Sequence, residues 1–485
     1  MKVNVTYTAL VTIVCLTLIG CAAPKATFID PVEVKPTTWT TMLQTREIQD
    51  ASRYAWWQAL GNTELDKLID QALDQNTSVA RAANAVERAN QQLKTVKLGW
   101  LPSLNIFAGR ITGNTTLFFQ GLPLPVSDVG NFVGILPNYF VNMFRLPYEQ
   151  RQAMELVDVA RAEMLAVRLA VVSEVVSAYA LLLSSQREIA LMQRMQERLI
   201  RQQQLLTDLR SVGMASQTMV NQIAAEKAAV GGQIALAQSN AVATRNALNT
   251  LVRKPLDSMQ AHQTLQPLSI VRQIAEQTPA AVLNTRPDIL AERARVLAAS
   301  TGIDTQTMLL APTLDFNALR TNISTQANAV SGSGNANFTA GYATLVLEPQ
   351  VFGLIQSSKL QAKDALLQYV QTVERALREV DDAMAQLEGQ RQNLQAQQQQ
   401  ARILAANVSD LKALHEAELT SQLQVLEAEI ESILAQMVVS QARTQVTLAY
   451  ASLQQAMGIG ALYKAENLTI NNGRIDQFSD AKAIE

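Results

Sequence analysis

The stretch LPSLNIFAGR (Leu101–Arg110) recurs without a gap as APTLDFNALR (Ala311–Arg320), at an offset of 210 residues. The register extends backwards, with Val86 falling on Val296 and Ala89 on Ala299. A second pairing sets GMASQTMV (Gly213–Val220) against ELTSQLQV (Glu418–Val425), an offset of 205, and places Leu248 on Leu453. Self-similarity at a fixed spacing marks a chain built from repeated structural units. The sequence therefore reads as a first repeat over residues 61–255 and a second over 278–460. A connector at 256–277, with Pro255 and Pro267 in RKPLDSMQAHQTLQPLS, joins them.

The same stretches carry the strand signal. SLNIFAG and TLDFNAL alternate apolar with polar or small residues, as do Phe338, Ala340 and Tyr342 against Thr339, Gly341 and Ala343. Such alternation over about 10 residues suits a strand with one face to lipid and the other to a lumen. Strands are expected at residues 101–115, 137–147, 311–323 and 337–348. The intervening GLPLPVSDVGN and ANAVSGSGNAN, rich in Gly, Pro, Ser and Asn, read as loops. Four strands cannot close a barrel, for which about eight is the practical minimum. An open sheet in lipid would leave its edge groups unsatisfied, so several copies must contribute to one barrel.

The rest of each half reads as helix. The composition is 48% hydrophobic but only 5% aromatic, a balance of long helices and coiled-coil seams. In the first half Val172, Val176, Tyr179 and Leu183 are spaced four, three and four, a seam within a helix expected from Glu149 to Leu209. In the second, Val380, Leu387, Leu394, Ala401 and Val408 recur every seven residues, flanked by Leu377 and Met384, within a helix from Leu354 to His415. At about 1.5 Å per residue each would be on the order of 90 Å long. Medium helices at Thr63–Leu98 and Ser216–Val252 cover about half that length each. The Gln-rich EGQRQNLQAQQQQARIL invites a disordered reading, but the seven-residue pattern passes through it at Leu394 and Ala401. Arg391 and Gln398 sit on that seam, where packing should be loose.

At the N-terminus Lys2 and the apolar run Ala9–Ile19 read as a secretory signal peptide over residues 1–20. The run is shorter than the roughly 20 residues of a spanning helix. Leu18-Ile19-Gly20-Cys21 resembles a bacterial lipobox, in which the cysteine takes diacylglycerol and becomes the first residue of the mature chain. A disulfide has no partner here, because Cys15 lies in the segment to be removed. Residues 21–60 then form a lipidated linker, and residues 461–485 a C-terminal tail. The most apolar later stretch, MLAVRLAVVSEVVSAYALLL (Met164–Leu183), is interrupted by Arg168 and Glu174, so no transmembrane helix is expected after the signal.

Chemistry-bearing patterns are missing. The two histidines, His262 and His415, stand in different regions, and no Cys/His cluster has metal-ligand spacing. No strand–loop–helix glycine motif for phosphates appears. RPDILAE (Arg286–Glu292) gathers Arg, Asp and Glu, but Pro287 and Asp288 read as a helix start that complements the dipole. No catalytic residue, cofactor or metal is expected, and a net charge of −2 points to no nucleic-acid partner.

The lipobox, RPDILAE, the paired LPSL and APTL strand entries, VGMAS (Val212–Ser216) and AYASLQQAMGIG (Ala449–Gly460) together resemble the TolC-type outer membrane efflux factors. The nearest branch is the lipoproteins of multidrug efflux systems, linked to resistance-nodulation-division or major-facilitator pumps. The likeness runs from Trp56 to Gly460. It implies a mainly α fold with a membrane β-barrel: a homotrimer with a twelve-stranded barrel in the outer membrane and an α-helical barrel crossing the periplasm. It also implies docking of the helical tip to a periplasmic adaptor protein and an inner-membrane transporter, with export of drugs or other small molecules.

In such proteins polar contacts near the turn between long and medium helices hold the periplasmic end shut. The resemblance places docking candidates at Gly213, Ser216, Glu418 and Ser421, and gate candidates at Leu423, Gln424, Leu426 and Glu427. This sequence departs from the pattern. His415 stands where a tyrosine is common, Glu418 where a glycine is common, and Thr420 where an arginine occurs in some members. Closure is therefore expected to rest on packing around Leu423 and Leu426. Glu427 has two readings, a solvated helix face or an acidic ring at the constriction. The alternatives for the whole chain are a type I protein secretion outlet or, in another class, a lipid-anchored coiled-coil scaffold, against which the alternating strands argue.

Overall fold

The computed structural model describes residues 53–111, 115–119, 122–126, 130–254, 285–327, 330–345, 348–465, 468–471 and 474–477. Cys21, the signal segment and the connector at 256–277 lie outside the described residues. A 3-10 turn at Trp56–Leu60 precedes α1 (Thr63–Gln75), α2 (Thr77–Leu98), β1 (Ser103–Ile111), β2 (Thr115–Phe119), β3 (Leu122–Val126) and β4 (Gly130–Val141). Then come α3 (Leu146–Ser211), α4 (Gln217–Leu251) and α5 (Pro287–Thr307). The remaining elements are β5 (Thr313–Ala327), β6 (Val330–Thr344), α6 (Gln350–Glu416), α7 (Gln422–Ala456), β7 (Leu468–Asn471) and β8 (Arg474–Gln477). The chain divides into two compact units, one holding residues 89–157 and 293–370, the other 37–88, 158–292 and 371–485.

The first unit is built on a four-stranded antiparallel sheet in the order β1-β4-β5-β6. Among the described residues β1 and β6 form its edges. The β4–β5 pairing skips Leu136 and Pro137, as expected where proline supplies no N–H to the ladder. Two expectations need correction. The strand placed at 137–147 runs instead from Gly130 to Val141, because Asn142 ends it. The Asn142 Oδ1 accepts from the N–H groups of Phe144 (3.1 Å) and Arg145 (3.0 Å), while its Nδ2 donates to Met308 O (2.9 Å). The two expected loops are also partly strand. GLPLPVSDVGN supplies β3, paired with β2 in a separate hairpin, and ANAVSGSGNAN supplies the start of β6. There β5 offers a backbone partner to every residue from Val330 to Thr344, and that pairing overrides the loop-like composition.

At the start of these strands the register puts Leu104, Ile106, Tyr139, Leu314 and Phe316 on one face. Leu104 and Ile106 are 60% and 70% exposed, and the paired Tyr139 and Phe316 rings stack at 6.2 Å. The opposite face carries Ser103, Asn105 and Asp315, with exposed Phe140 as the exception. One chain thus leaves an apolar sheet face bare.

The second unit is helical. The seam residues Val172, Val176, Tyr179 and Leu183 are all buried, in one core with Trp56, Trp57, Leu248, Leu387 and Leu453. The stretch of α3 around them is long and apolar enough to cross a membrane, yet most of it is buried inside the protein, and Arg168 donates to Tyr463 O (2.8 Å). On α6, Val380, Leu387 and Leu394 are buried, Ala401 and Val408 half-buried, and Met384 exposed. The Gln-rich segment is helical throughout, with Arg391 and Gln398 half-buried on the seam.

The expected helix Thr63–Leu98 is broken at Asn76, whose ψ of 133° is extended. Its N–H closes α1 on Ala72 O (2.8 Å), its Oδ1 accepts from Ser78 N–H (2.8 Å) to start α2, and its Nδ2 donates to Leu251 O (2.9 Å). At the start of α1, Asn62 Oδ1 accepts from the Glu64 and Leu65 N–H groups (3.0 and 2.9 Å). Its Nδ2 donates to the Tyr179 hydroxyl (2.9 Å), which donates to Glu64 (3.2 Å).

Four helix ends share one turn, in which a left-handed residue and its successor donate back to the last turn. At the end of α3, Gly213 (φ 77°) donates to Arg210 O and Met214 to Leu209 O; 205 residues on, Glu418 (φ 62°) donates to His415 O and Leu419 to Leu414 O. At the end of α4, Arg253 (φ 54°) donates to Thr250 O and Lys254 to Asn249 O; 205 residues on, Gly458 (φ 70°) donates to Gln455 O and Ile459 to Gln454 O. Only glycine fits the last position, since a Cβ on Gly458 would lie 2.8 Å from Thr285 O and 2.9 Å from the Arg286 nitrogen. At Gly213 a Cβ would meet nothing within 4 Å. Glu418→Gly and Arg253→Gly should therefore each stabilise by about 0.5–1 kcal/mol, and Gly213→Ala should cost about 1 kcal/mol from strain alone. Gly458→Ala should cost more than any of these, because backbone must move. Thermal unfolding of the four variants followed by circular dichroism checks that order.

Candidate functional site

The residues expected at the tip lie on two turns of one design. Gly213 and Glu418 are the left-handed residues, and Ser216 and Ser421 are N-caps whose Oγ atoms accept from the Met219 and Gln424 N–H groups, each at 3.3 Å. All four are exposed. The second turn has an extra brace. His415 donates from Nδ1 to Thr420 O (2.9 Å), and the Thr420 hydroxyl donates to Gln424 Oε1. His415 and Thr420 thus brace the same turn.

The first turns of α7 separate two faces. Leu423, Ile430, Ile433 and Met437 follow helical spacing and pack with apolar residues of α3 and α4, and Leu426 beside them is only 4% exposed. Gln424, Glu427 and Glu431 form an exposed stripe that continues into Leu434 and Val438. Leu426 is therefore part of the packing within one chain, while Gln424 and Glu427 are presented outward. Another carboxylate on this helix is paired. Glu429, with 14% of its side chain exposed, pairs with Arg198 on α3 and Lys412 on α6, both at 2.6 Å. Sequence reasoning missed it, because an ion pair across three helices leaves no periodic trace.

RPDILAE starts a helix, as its composition dictates, and Asp288 Oδ1 accepts from the Ile289 N–H (2.9 Å). The structure adds a buried cross-link. The Arg286 guanidinium, 8% exposed, grips Asp288 through Nε and a second nitrogen (2.9 and 2.6 Å), reaches Glu379 on α6 (2.7 Å), and donates to Ala456 O at the end of α7 (3.0 Å). Burial disfavours its charge, but the two carboxylates outweigh that and raise its pKa. Thr285 donates to Met457 O (2.8 Å) beside it. A signal for this was available in the repeat: at the offset of 210, Arg286 falls on Asn76, which bonds Leu251 O as Arg286 bonds Ala456 O. Nearby, Trp56 packs edge-on against Trp57 and Tyr450 (both 5.7 Å), and Trp57 against Tyr463 (4.8 Å). Burial, with Tyr54 adding to it, pushes the Tyr450 hydroxyl pKa up to about 12.

Among the described residues no group of His, Cys, Asp and Glu has the geometry of a metal site. Known proteins identify the arrangement. The model of the family described as outer membrane efflux protein matches residues 68–252 and 278–459. The chain belongs to the outer membrane efflux protein family. It is 26% identical to the outer membrane protein OprJ of Pseudomonas aeruginosa, over 95% of this chain and 97% of OprJ. It is 24% identical to the probable outer membrane lipoprotein SilC of Salmonella typhimurium, over 77% and 81% of the two chains. The solved outer-membrane channel OprN superposes with a TM-score of 0.73 at 20% identity, covering 88% of this chain and 98% of that one.

This efflux protein is thus a TolC-type outer membrane component of an efflux system, and its family is one of channels rather than enzymes. Its interior polar contacts brace the helices. Arg286→Leu should cost about 1–3 kcal/mol, by removing the charge-assisted bonds to Asp288 and Glu379 and the donor to Ala456 O, and Arg286→Lys should recover less than half, lacking the bidentate fork. Unfolding in detergent measures both. Glu429→Gln should speed amide exchange in the first turns of α7 and leave the exchange of α1 unchanged.

Proposed function

We propose that this efflux protein is a passive, lipid-anchored homotrimer that carries drugs or other small molecules from an inner-membrane transporter, through a periplasmic adaptor protein, to the exterior. The observation that carries the proposal is the four-stranded sheet with β1 and β6 as edges and an apolar face left bare. Lipid tolerates no open sheet edge, and three such sheets supply the twelve strands of a closed barrel. Exposed Leu236 and Val242 on α4, and Met384 and Ile403 on α6, offer apolar surface for neighbouring copies. The family model's two matched segments support repeats at 61–255 and 278–460 with a connector between them. We assign Cys21 as the lipidated residue of a chain released from a signal peptide at 1–20. Gly213, Ser216, Glu418 and Ser421 then meet the adaptor, and Gln424 and Glu427 face the constriction, with Leu423 and Leu426 packing behind them.

Unheated protein in detergent should migrate as a trimer that boiling dissociates; migration as a monomer without heating would end the barrel reading. Radiolabelled palmitate should enter the wild type and not Cys21→Ser, while Cys21→Ser behind a cleavable signal should still reach the outer membrane, where the barrel holds it. In planar bilayers Glu427→Gln should weaken cation selectivity, since a ring of like carboxylates favours cations. Unchanged selectivity would put Glu427 on the solvated outer face.

A further inference from the structure

Between α3 and α7 lies an open groove of about 310 Å³ lined by Arg187, Leu191, Arg194, Gln436, Ser440 and Arg443 among others, and none of its lining residues is acidic. Polar bonds tie its two walls to the neighbouring helices. Lys227 on α4 bonds Gln203 on α3 (2.8 Å), Arg198 on α3 pairs with Glu429 on α7, and Glu429 pairs with Lys412 on α6. Its lining residues all come from α3 and α7, whereas the exposed apolar residues assigned above to neighbouring copies lie on α4 and α6. Arg187 and Arg194 line it from α3 and Arg443 from α7, with no carboxylate among the lining residues. A second, independent feature is Ser440, which is 7% exposed and whose Oγ has no protein hydrogen-bond partner among the described residues. Burial of Arg187 and the nearby Arg443 charge both lower the Arg187 pKa, the mark of a cation held where an anion is wanted.

We propose that this groove is a binding site for a small, multiply charged oxyanion, a phosphate or a di- or tricarboxylate. Guanidinium forks recognise carboxylate and phosphate oxygens in pairs. The volume is at the lower end of small-molecule sites, which run from about 300 Å³. A bound anion would replace repulsion between α3 and α7 with bridging contacts, so it should stabilise the folded chain by mass action.

The test uses the full-length protein in detergent, with citrate and inorganic phosphate as probes. Both should raise the unfolding temperature in a saturable way, and sodium chloride at matched ionic strength should not. Arg187→Ala with Arg443→Ala should weaken the apparent citrate affinity at least tenfold, while Arg201→Ala, an exposed arginine elsewhere on α3, should leave it unchanged. Arg443→Glu supplies its own carboxylate, so it should melt higher without anion and lose the citrate response. An equal shift with sodium chloride, or an unchanged citrate affinity in the double variant, would overturn the proposal. The trimer seen without heating is scored separately, so failure of the anion site and failure of the conduit reading give different results.

Discussion

A helix that ends must still satisfy its last carbonyls, and in this chain one solution to that problem recurs at α3, α4, α6 and α7. Each closes with a left-handed residue that donates back into the helix, and each turn then aims the chain at its next partner. At one end the turn leads directly into a serine-capped helix running back, so Gly213 and Glu418 place Ser216 and Ser421 three residues later. At the other end the freed carbonyls of Leu251 and Ala456 become acceptors for Asn76 and Arg286, the residues that begin α2 and α5. Helix termination and helix docking are thus the same set of hydrogen bonds.

The two repeats divide the conformational burden unequally. Where one uses glycine at the left-handed position, the other uses Glu418 or Arg253. The difference follows the surroundings. Gly458 lies against the Thr285–Arg286 backbone and has no room for a side chain, whereas the space around Gly213 is empty. The guanidinium of Arg286 holds the end of its helix in the second repeat while also gripping two carboxylates, where the amide of Asn76 in the first holds Leu251 O and caps α2.

Much of this was legible in the residues, and what was not has identifiable physical causes. Seven-residue spacing marked α6 through its Gln-rich part, and the seam of α3 was buried where the period placed it. Asn76 was hidden because the apolar pattern continues through a single extended residue. The loop-like ANAVSGSGNAN became strand because β5 supplied its partners, and such long-range pairing leaves no local trace. The bonds of Glu429 to Arg198 and Lys412, and of Arg286 to Glu379 and Ala456 O, were hidden for a related reason: these partners lie on other helices, and a charge in sequence does not name them. At the tip, helical spacing separated the exposed Gln424 and Glu427 from the buried Leu426, as two faces of α7.

The order of the sheet has a consequence for how the chain reaches its folded state. β1 pairs with β4 and β5 with β6 across short stretches of sequence, but β4 and β5 join Gly130–Val141 to Leu314–Thr325. Contacts of such separation are slow to form, because the intervening chain must be brought together first. Until the second half of the polypeptide has been delivered, β4 presents a free strand edge able to pair with whatever extended chain is nearby. A half-delivered chain therefore carries a pairing edge that the complete chain closes, and an escort that covers β4 would protect it.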